Sequence, residues 1–306
     1  MFKKVLRWLI LGGTLFFLAK TLKDNWLQVT DIRINGVGWA VIALATLTTL
    51  LAHTWAGWVW TWVLNELNEP VPTLDFIRVY LKTNLAKYLP GNVWHYYGRI
   101  VAAKDAGVTG GAATLSVLLE PVLMATAALI VIVVLGSELT TYSHTFSIRI
   151  LQILSLIGVL CILNPQFLNP ILSFVKKLKA KKSDSSNSND ATSLKLRRYP
   201  LIPLFGELAF VSLRGTGFIL TLFALAPLQV SQIPLLLAAF SFAWLLGLIV
   251  PGAPGGLGVF EATAIALLQN HFPAALVFSA ICLYRLISII AETAGAGLAW
   301  ILGDRG

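Results

Sequence analysis

Pro251-Gly252-Ala253-Pro254-Gly255-Gly256-Leu257-Gly258-Val259-Phe260-Glu261 separates two strongly apolar runs, Ile233–Val250 and Ala262–Leu268. In a water-soluble chain this would be an ordinary glycine-rich loop. Its neighbours here read as membrane-buried helix, and irregular backbone at that depth is tolerated only inside protein or beside a wet cavity. Two prolines and four glycines break a helix where breaking it is costly, and such a discontinuous helix points to a transport site. The alternative is a surface loop joining two spans. The helix expected over Ala262–Gln269 is too short to cross a bilayer, which favours a hairpin that enters and leaves from one side.

The rest of the chain supports the membrane setting. Hydrophobic residues make up 57% of the 306 positions and charged residues 12%, with a mean hydropathy of +0.78. Soluble domains carry roughly 25% charged residues. The composition predicts an all-α polytopic membrane protein, a single integral domain over 1–306 with about seven to eight transmembrane helices. The net charge of +9 does not suggest nucleic acid, because the basic residues cluster between spans, as in cytoplasmic loops. Cys161 and Cys282 lie in apolar runs, so neither a disulfide framework nor a metal site is implied. Trp55, Trp58, Trp60 and Trp62 crowd one helix end, where an interfacial aromatic belt would sit.

Met1–Arg7 followed by Trp8–Ala19 reads as a retained first span rather than a signal peptide, with Lys3, Lys4 and Arg7 holding the N-terminus in the cytoplasm. The next spans are expected at Val37–Val63, Thr114–Leu135, Ile150–Leu163, Pro203–Leu225, Ile233–Val250 and Ala274–Leu302. His53 falls inside the second span, where a lone histidine reads first as a satisfied packing residue. Residues 136–149 read as an outer loop. Residues 176–200 are basic at both ends and polar in the middle, a cytoplasmic low-complexity loop.

Between the second and third spans the character changes. Leu74, Ile77, Leu81, Leu85 and Tyr88 recur at three- and four-residue spacings, predicting an apolar helix stripe with Arg78, Lys82 and Lys87 off it. Leu89-Pro90-Gly91-Asn92 stops that helix. A second piece follows, in which His95 and Arg99 share a face. This segment is either an amphipathic interfacial helix with a turn or a second broken helix dipping into the membrane.

Glu120, Glu207, Arg214, Glu261, Arg285 and Glu292 are ionisable groups in otherwise apolar helices and need internal partners. Glu207 and Arg214 are seven residues apart, as are Arg285 and Glu292, so each pair lies along one helix face. Arginine suits a phosphate or carboxylate held through two parallel bonds. The backbone N–H groups of Gly255, Gly256 and Gly258 add an anion-seeking device at the start of the following helix. Glu261 falls in its first turn, where a carboxylate also serves as a plain cap. The two breaks, at Pro90-Gly91 and Pro251-Gly252, occupy comparable places in the two halves, each followed by a carboxylate (Glu120, Glu261), which suggests an internal repeat.

Asn84-Leu85-Ala86-Lys87-Tyr88-Leu89-Pro90-Gly91-Asn92-Val93-Trp94-His95 with Gly98-Arg99, then Glu120, then Pro254–Glu261, then Tyr284-Arg285, resemble the lysylphosphatidylglycerol synthase transmembrane-region family. The resemblance spans nearly the whole chain. It implies a flippase-like protein of the bacterial inner membrane, with re-entrant helices around a cavity. It also implies translocation of an anionic or aminoacylated phospholipid, or a related lipid-linked molecule, between leaflets. Arg99, Glu120, Glu261 and Arg285 would line that cavity, with His95 and Arg214 as further candidates. The aminoacyl-transfer domain of the fused members is absent, so lipid synthesis is not expected. Pro121 stands where a basic residue is more usual and leaves the partner of Glu120 open.

The expected activity is movement of a lipid with an anionic head group, without cofactor. A non-catalytic membrane subunit supporting envelope lipid or glycan assembly is the alternative, with a homo-oligomer or an envelope enzyme as partner. An enzyme is disfavoured, because no nucleophile–base pair, metal-ligand cluster or nucleotide loop is visible.

Overall fold

The structure is a computed structural model that describes residues 33–88, 93–139, 145–170, 198–250 and 254–303, with positions 23, 173 and 196. The expected first span over Trp8–Ala19, the Leu89–Asn92 break, positions 251–253 of the second break and nearly all of the basic loop lie outside these residues.

Every described regular element is a helix. In chain order they are α1 (Gly36–Glu66), α2 (Thr73–Asn84), a 3₁₀ turn (Leu85–Tyr88), α3 (Trp94–Asp105), α4 (Gly110–Leu135) and a 3₁₀ turn (Gly136–Leu139). Then come α5 (Thr145–Ile162), α6 (Leu201–Leu225), a 3₁₀ turn (Val230–Gln232), α7 (Ile233–Ile249), a 3₁₀ turn (Pro254–Gly256), α8 (Val259–Leu268) and α9 (Ala274–Gly303). Five described stretches are long and apolar enough to cross a membrane: α1, α4, α6, α7 with its preceding 3₁₀ turn, and α9. The chain is an all-α polytopic membrane protein. Residues 136–149 differ from the expected outer loop, since α5 already begins at Thr145.

Local chemistry explains the helix starts. Asn35 caps α1 by accepting the Gly38 N–H at 2.7 Å, satisfying one of the orphan donors of a first turn. Pro234 occupies the first turn of α7, where its missing N–H costs nothing. Glycines set the closest packing. A Cβ on Gly206 would stand 2.6 Å from Val59, and one on Gly217 would stand 2.6 Å from Thr49. These positions, eleven apart on one face of α6, let α1 approach as small residues do between membrane helices.

Large apolar side chains such as Leu47, Leu118, Val134, Phe205 and Leu286 are exposed, while Thr49, His53, Arg99, Glu120, Glu207, Arg214 and Glu292 are buried. This is the arrangement expected where hydrocarbon surrounds the bundle and polar groups must find each other inside. It also corrects the expected stripe on α2. Leu74 is exposed and Ile77 only half-buried, whereas Phe76, Tyr80, Leu81 and Asn84 face the bundle. Of the expected stripe Leu81 is buried, and the inward face is mixed, with Phe76 and Leu81 beside Tyr80 and Asn84.

The tryptophan cluster divides in the same way. Trp55, Trp58 and Trp62 meet edge to face. Trp60 is fully buried and donates its indole N–H to Ser116 Oγ at 3.1 Å. It belongs to the core rather than to an aromatic belt, because two residues along a helix is about 200° of rotation.

The chain doubles back after α7, since a Cβ on Gly256 would stand 3.1 Å from the Gly247 Cα. At 10 residues α8 is about 15 Å long, half of a hydrocarbon core, and it packs against α7 and α9. Helices α2 and α3 have 12 residues each, and they pack between α1, α4 and α9 rather than lying on a surface. The 3₁₀ turn after α2 meets the second break, with the Tyr88 ring against Gly255.

Candidate functional site

Three polar clusters converge between these helices. In the first, Arg99 on α3 donates from Nη1 to Glu120 Oε2 on α4 at 2.7 Å, and both side chains are all but sealed from the surface. The Arg99 guanidinium lies 3.5 Å from the centre of the Tyr80 ring, where the ring face attracts a cation. Arg99 is the partner of Glu120 that the sequence left open. Glu207 on α6 is buried within electrostatic reach of both, and neither of its oxygens has a hydrogen-bond partner among the described residues.

In the second cluster, Glu261 on α8 pairs with Arg285 on α9 through Oε1 and Nε. Its other oxygen accepts the Gly258 N–H at 2.6 Å, so the cap and the charged role coexist. Arg285 Nη1 also donates to the Gly255 carbonyl at 3.0 Å. Gly255, Gly256 and Gly258 all have positive φ, between 58° and 84°, a conformation that costs other residues. The break therefore spends the Gly258 N–H and the Gly255 carbonyl on fastening α8 to α9. Gly255 and Gly256 remain beside the cavity.

The third cluster lies between α1, α6, α9 and the first break. Lys87 Nζ meets Glu292 Oε1 at 2.7 Å, and His53 Nε2 lies 3.0 Å from the same oxygen. Arg214 Nη1 reaches His53 Nε2 at 3.1 Å and Ser288 Oγ at 3.4 Å. Arg214 thus has no carboxylate within ion-pair distance among the described residues. The Tyr284 hydroxyl donates to the Arg214 carbonyl at 3.0 Å, fixing α6 to α9 at this level.

Side chains from all three clusters line one cavity of about 130 Å³. Its charged lining comprises Lys87, Arg99, Glu120, Arg214, Arg285 and Glu292, with His53, His95, Asn84, Tyr88 and Ser288 as polar companions. Such a lining can strip water from a small charged group and replace it with fixed donors.

The profile described as the lysylphosphatidylglycerol synthase TM region matches residues 5–295. The chain belongs to this family. No curated protein matches the sequence at a significant level.

Of the residues expected at the site, His95, Arg99, Glu120, Arg214, Gly255, Gly256 and Arg285 line the cavity. Gly258 and Glu261 stand behind it and hold Arg285. Family membership accords with this gathering of Arg99, Glu120, Glu261 and Arg285 around one interior. Three participants escaped the sequence reading as site residues: His53, Lys87 and Glu292. Lys87 carried a signal that apolar periodicity hides. Phe76, Tyr80, Asn84 and Lys87, spaced four, four and three apart, form one inward row that continues through the 3₁₀ turn. Glu292 was marked as needing an internal partner, but nothing local named that partner, and His53 was a lone polar residue whose partners are more than 30 positions away.

Proposed function

We propose that the protein translocates a phospholipid, or another lipid-linked molecule with an anionic head group, between membrane leaflets. The head group passes through the polar cavity while the acyl chains stay in the bilayer. The observation that carries this reading is Arg214, a buried guanidinium on the cavity wall with no carboxylate within ion-pair distance among the described residues. Burying a cation costs several kcal/mol unless an anion compensates, and a guanidinium fork fits phosphate oxygens. Lys87 lies nearby and shares its carboxylate, Glu292, with His53. Arg99 and Arg285 are each matched by a carboxylate, so they frame the cavity, and Arg214 with Lys87 forms the seat.

Membership of a family named for lipid chemistry is consistent with a lipid substrate. We read the protein as a translocase rather than an enzyme, working without cofactor or nucleic acid. We place it in the bacterial inner membrane with Lys3, Lys4, Arg7 and the basic 176–200 segment on the cytoplasmic side.

The test is movement of fluorescent lipids in proteoliposomes, read by quenching of the outer leaflet. Phosphatidylglycerol should move at least about tenfold faster than an uncharged glycolipid, since one charge-assisted contact contributes ~1.5–3 kcal/mol. Equal rates for both would remove the anionic specificity. No movement of either would favour a supporting membrane subunit.

A further inference from the structure

One ring nitrogen of His53 stands between a donor and an acceptor. Nε2 lies 3.1 Å from Arg214 Nη1 and 3.0 Å from Glu292 Oε1. A neutral ring with its lone pair on Nε2 accepts from Arg214 and turns that same lone pair toward the carboxylate. Either form that carries Nε2–H, the other neutral tautomer or the protonated ring, donates it to Glu292 and leaves Arg214 with no acceptor at this position. The two bonds exclude each other. Asn84, whose amide is 3.4 Å from Nδ1, offers its carbonyl to Nδ1–H when Nε2 is bare or the ring is protonated, and after a half-turn its NH₂ to a bare Nδ1.

The charges around the ring say when each form is stable. Glu292 faces it from α9, Arg214 from α6 and Lys87 from the 3₁₀ turn after α2. The other helix packed against α1, α4, contributes Glu120, which is paired with Arg99 of α3. Glu207 of α6 lies with that pair. Across the cavity stand His95, Tyr80, Tyr88 and Arg285. Lys87 and Arg214 stand beside His53 with a single carboxylate, Glu292, which Lys87 and the ring hold, so a proton on the ring adds unbalanced charge to the cavity without a bound anion. An anion at Arg214 reverses this, because it supplies the missing negative charge. Protonation in turn frees the Arg214 N–H groups for the anion. Each ligand strengthens the other, and the coupling is necessarily reciprocal.

We propose that His53 is the binding site of a proton that enters with the anionic head group, so that lipid and proton are carried together. The inference rests on the reading of the cavity as an anionic-lipid site. The proton comes from water on the side of entry, resides on the ring while the head group is bound, and returns to water on the side of exit. No bond to the lipid is made or broken.

Proton uptake on binding tests this directly. Dihexanoyl phosphatidylglycerol is titrated calorimetrically into the purified full chain in detergent at pH 7, in two buffers of different ionisation enthalpy. The wild type should take up close to one proton per lipid bound. His53→Gln, which keeps a hydrogen-bonding amide but cannot titrate, should take up none and bind about tenfold more weakly. Binding by the wild type without proton uptake, or undiminished uptake by His53→Gln, overturns the inference and leaves the anionic-lipid reading standing. Absence of any binding overturns both. Should His53→Gln fail to fold, Glu292→Gln removes the negative charge that favours a protonated ring, and undiminished uptake there counts equally against the proposal.

Discussion

The two halves of the bundle contain the same parts in the same order, and they differ in how they use charge. Each has a helix, a break, a short helix and a long span: α2, α3 and α4 in the first half, α7, α8 and α9 in the second. In the first, the short helix supplies the arginine and the span supplies the carboxylate, Arg99 to Glu120. In the second the signs are exchanged, Glu261 on the short helix and Arg285 on the span. The carboxylates that follow the two breaks in sequence are therefore not equivalent in space. Glu120 corresponds by position to Arg285, and Arg99 to Glu261. The burial differs too: Arg99 is 2% exposed and Arg285 18%. Arg285 is also tied to backbone of its own break, and Arg99 has no such tie among the described residues. The same geometric motif thus serves once as a sealed anchor and once as a clip that shapes a cavity wall.

The comparison can be broken most sharply at the sealed pair. Arg99→Ala leaves a carboxylate uncompensated in the interior and should cost ~3–5 kcal/mol of stability, seen as lost monodisperse protein or a collapsed thermal transition in detergent. Replacing both partners together, Arg99→Met with Glu120→Leu, should cost less than Arg99→Ala alone, since no lone charge remains. A double variant worse than the single would mean that the pair is held for something other than mutual compensation.

At the open pair the expected loss is smaller. Arg285→Ala should destabilise by ~1–3 kcal/mol, the scale for a charged hydrogen-bonding group left without its partner. Lipid movement should fall further than stability does, because Arg285 lines the cavity and fastens the break. Equal melting shifts for Arg99→Ala and Arg285→Ala would erase the distinction between anchor and clip.

Smallest is the backbone effect at the break. Gly255 has φ of 58°, so Gly255→Ala should cost ~1–2 kcal/mol. Its new methyl would also meet the Tyr88 ring at 3.1 Å. Adding Tyr88→Leu should recover the contact part of that loss and none of the backbone part. Full recovery would assign the whole effect to crowding between the two breaks.

How much of this was legible in the sequence depends on whether the signal was local. The second span, read as Val37–Val63, is observed as Gly36–Glu66, and the short helix after the glycine-rich break is observed at Val259–Leu268. Apolar length and proline or glycine punctuation act within a few residues, so they survive without knowledge of the fold. Pairings do not. Arg285 and Glu292 share a helix face seven residues apart, yet one reaches α8 and the other reaches α1 and the first break. Glu207 and Arg214 are likewise on one helix and belong to different clusters. Which charge meets which is decided by helix neighbours, and one chain's periodicity carries no record of them. The inward row of α2, Phe76, Tyr80 and Asn84, and the burial of Trp60 were not legible from apolarity alone, because apolar side chains face both the bundle and the hydrocarbon around it.

The central claim is that Arg214 seats an anionic head group. The most direct measurement compares phosphatidylglycerol movement by wild type and Arg214→Gln in proteoliposomes, alongside their melting temperatures. The account predicts folded Arg214→Gln protein with movement reduced by at least about tenfold, the loss of one charge-assisted contact. Undiminished movement by a folded Arg214→Gln variant would contradict it, and would leave the buried guanidinium as a structural partner of His53 and Ser288.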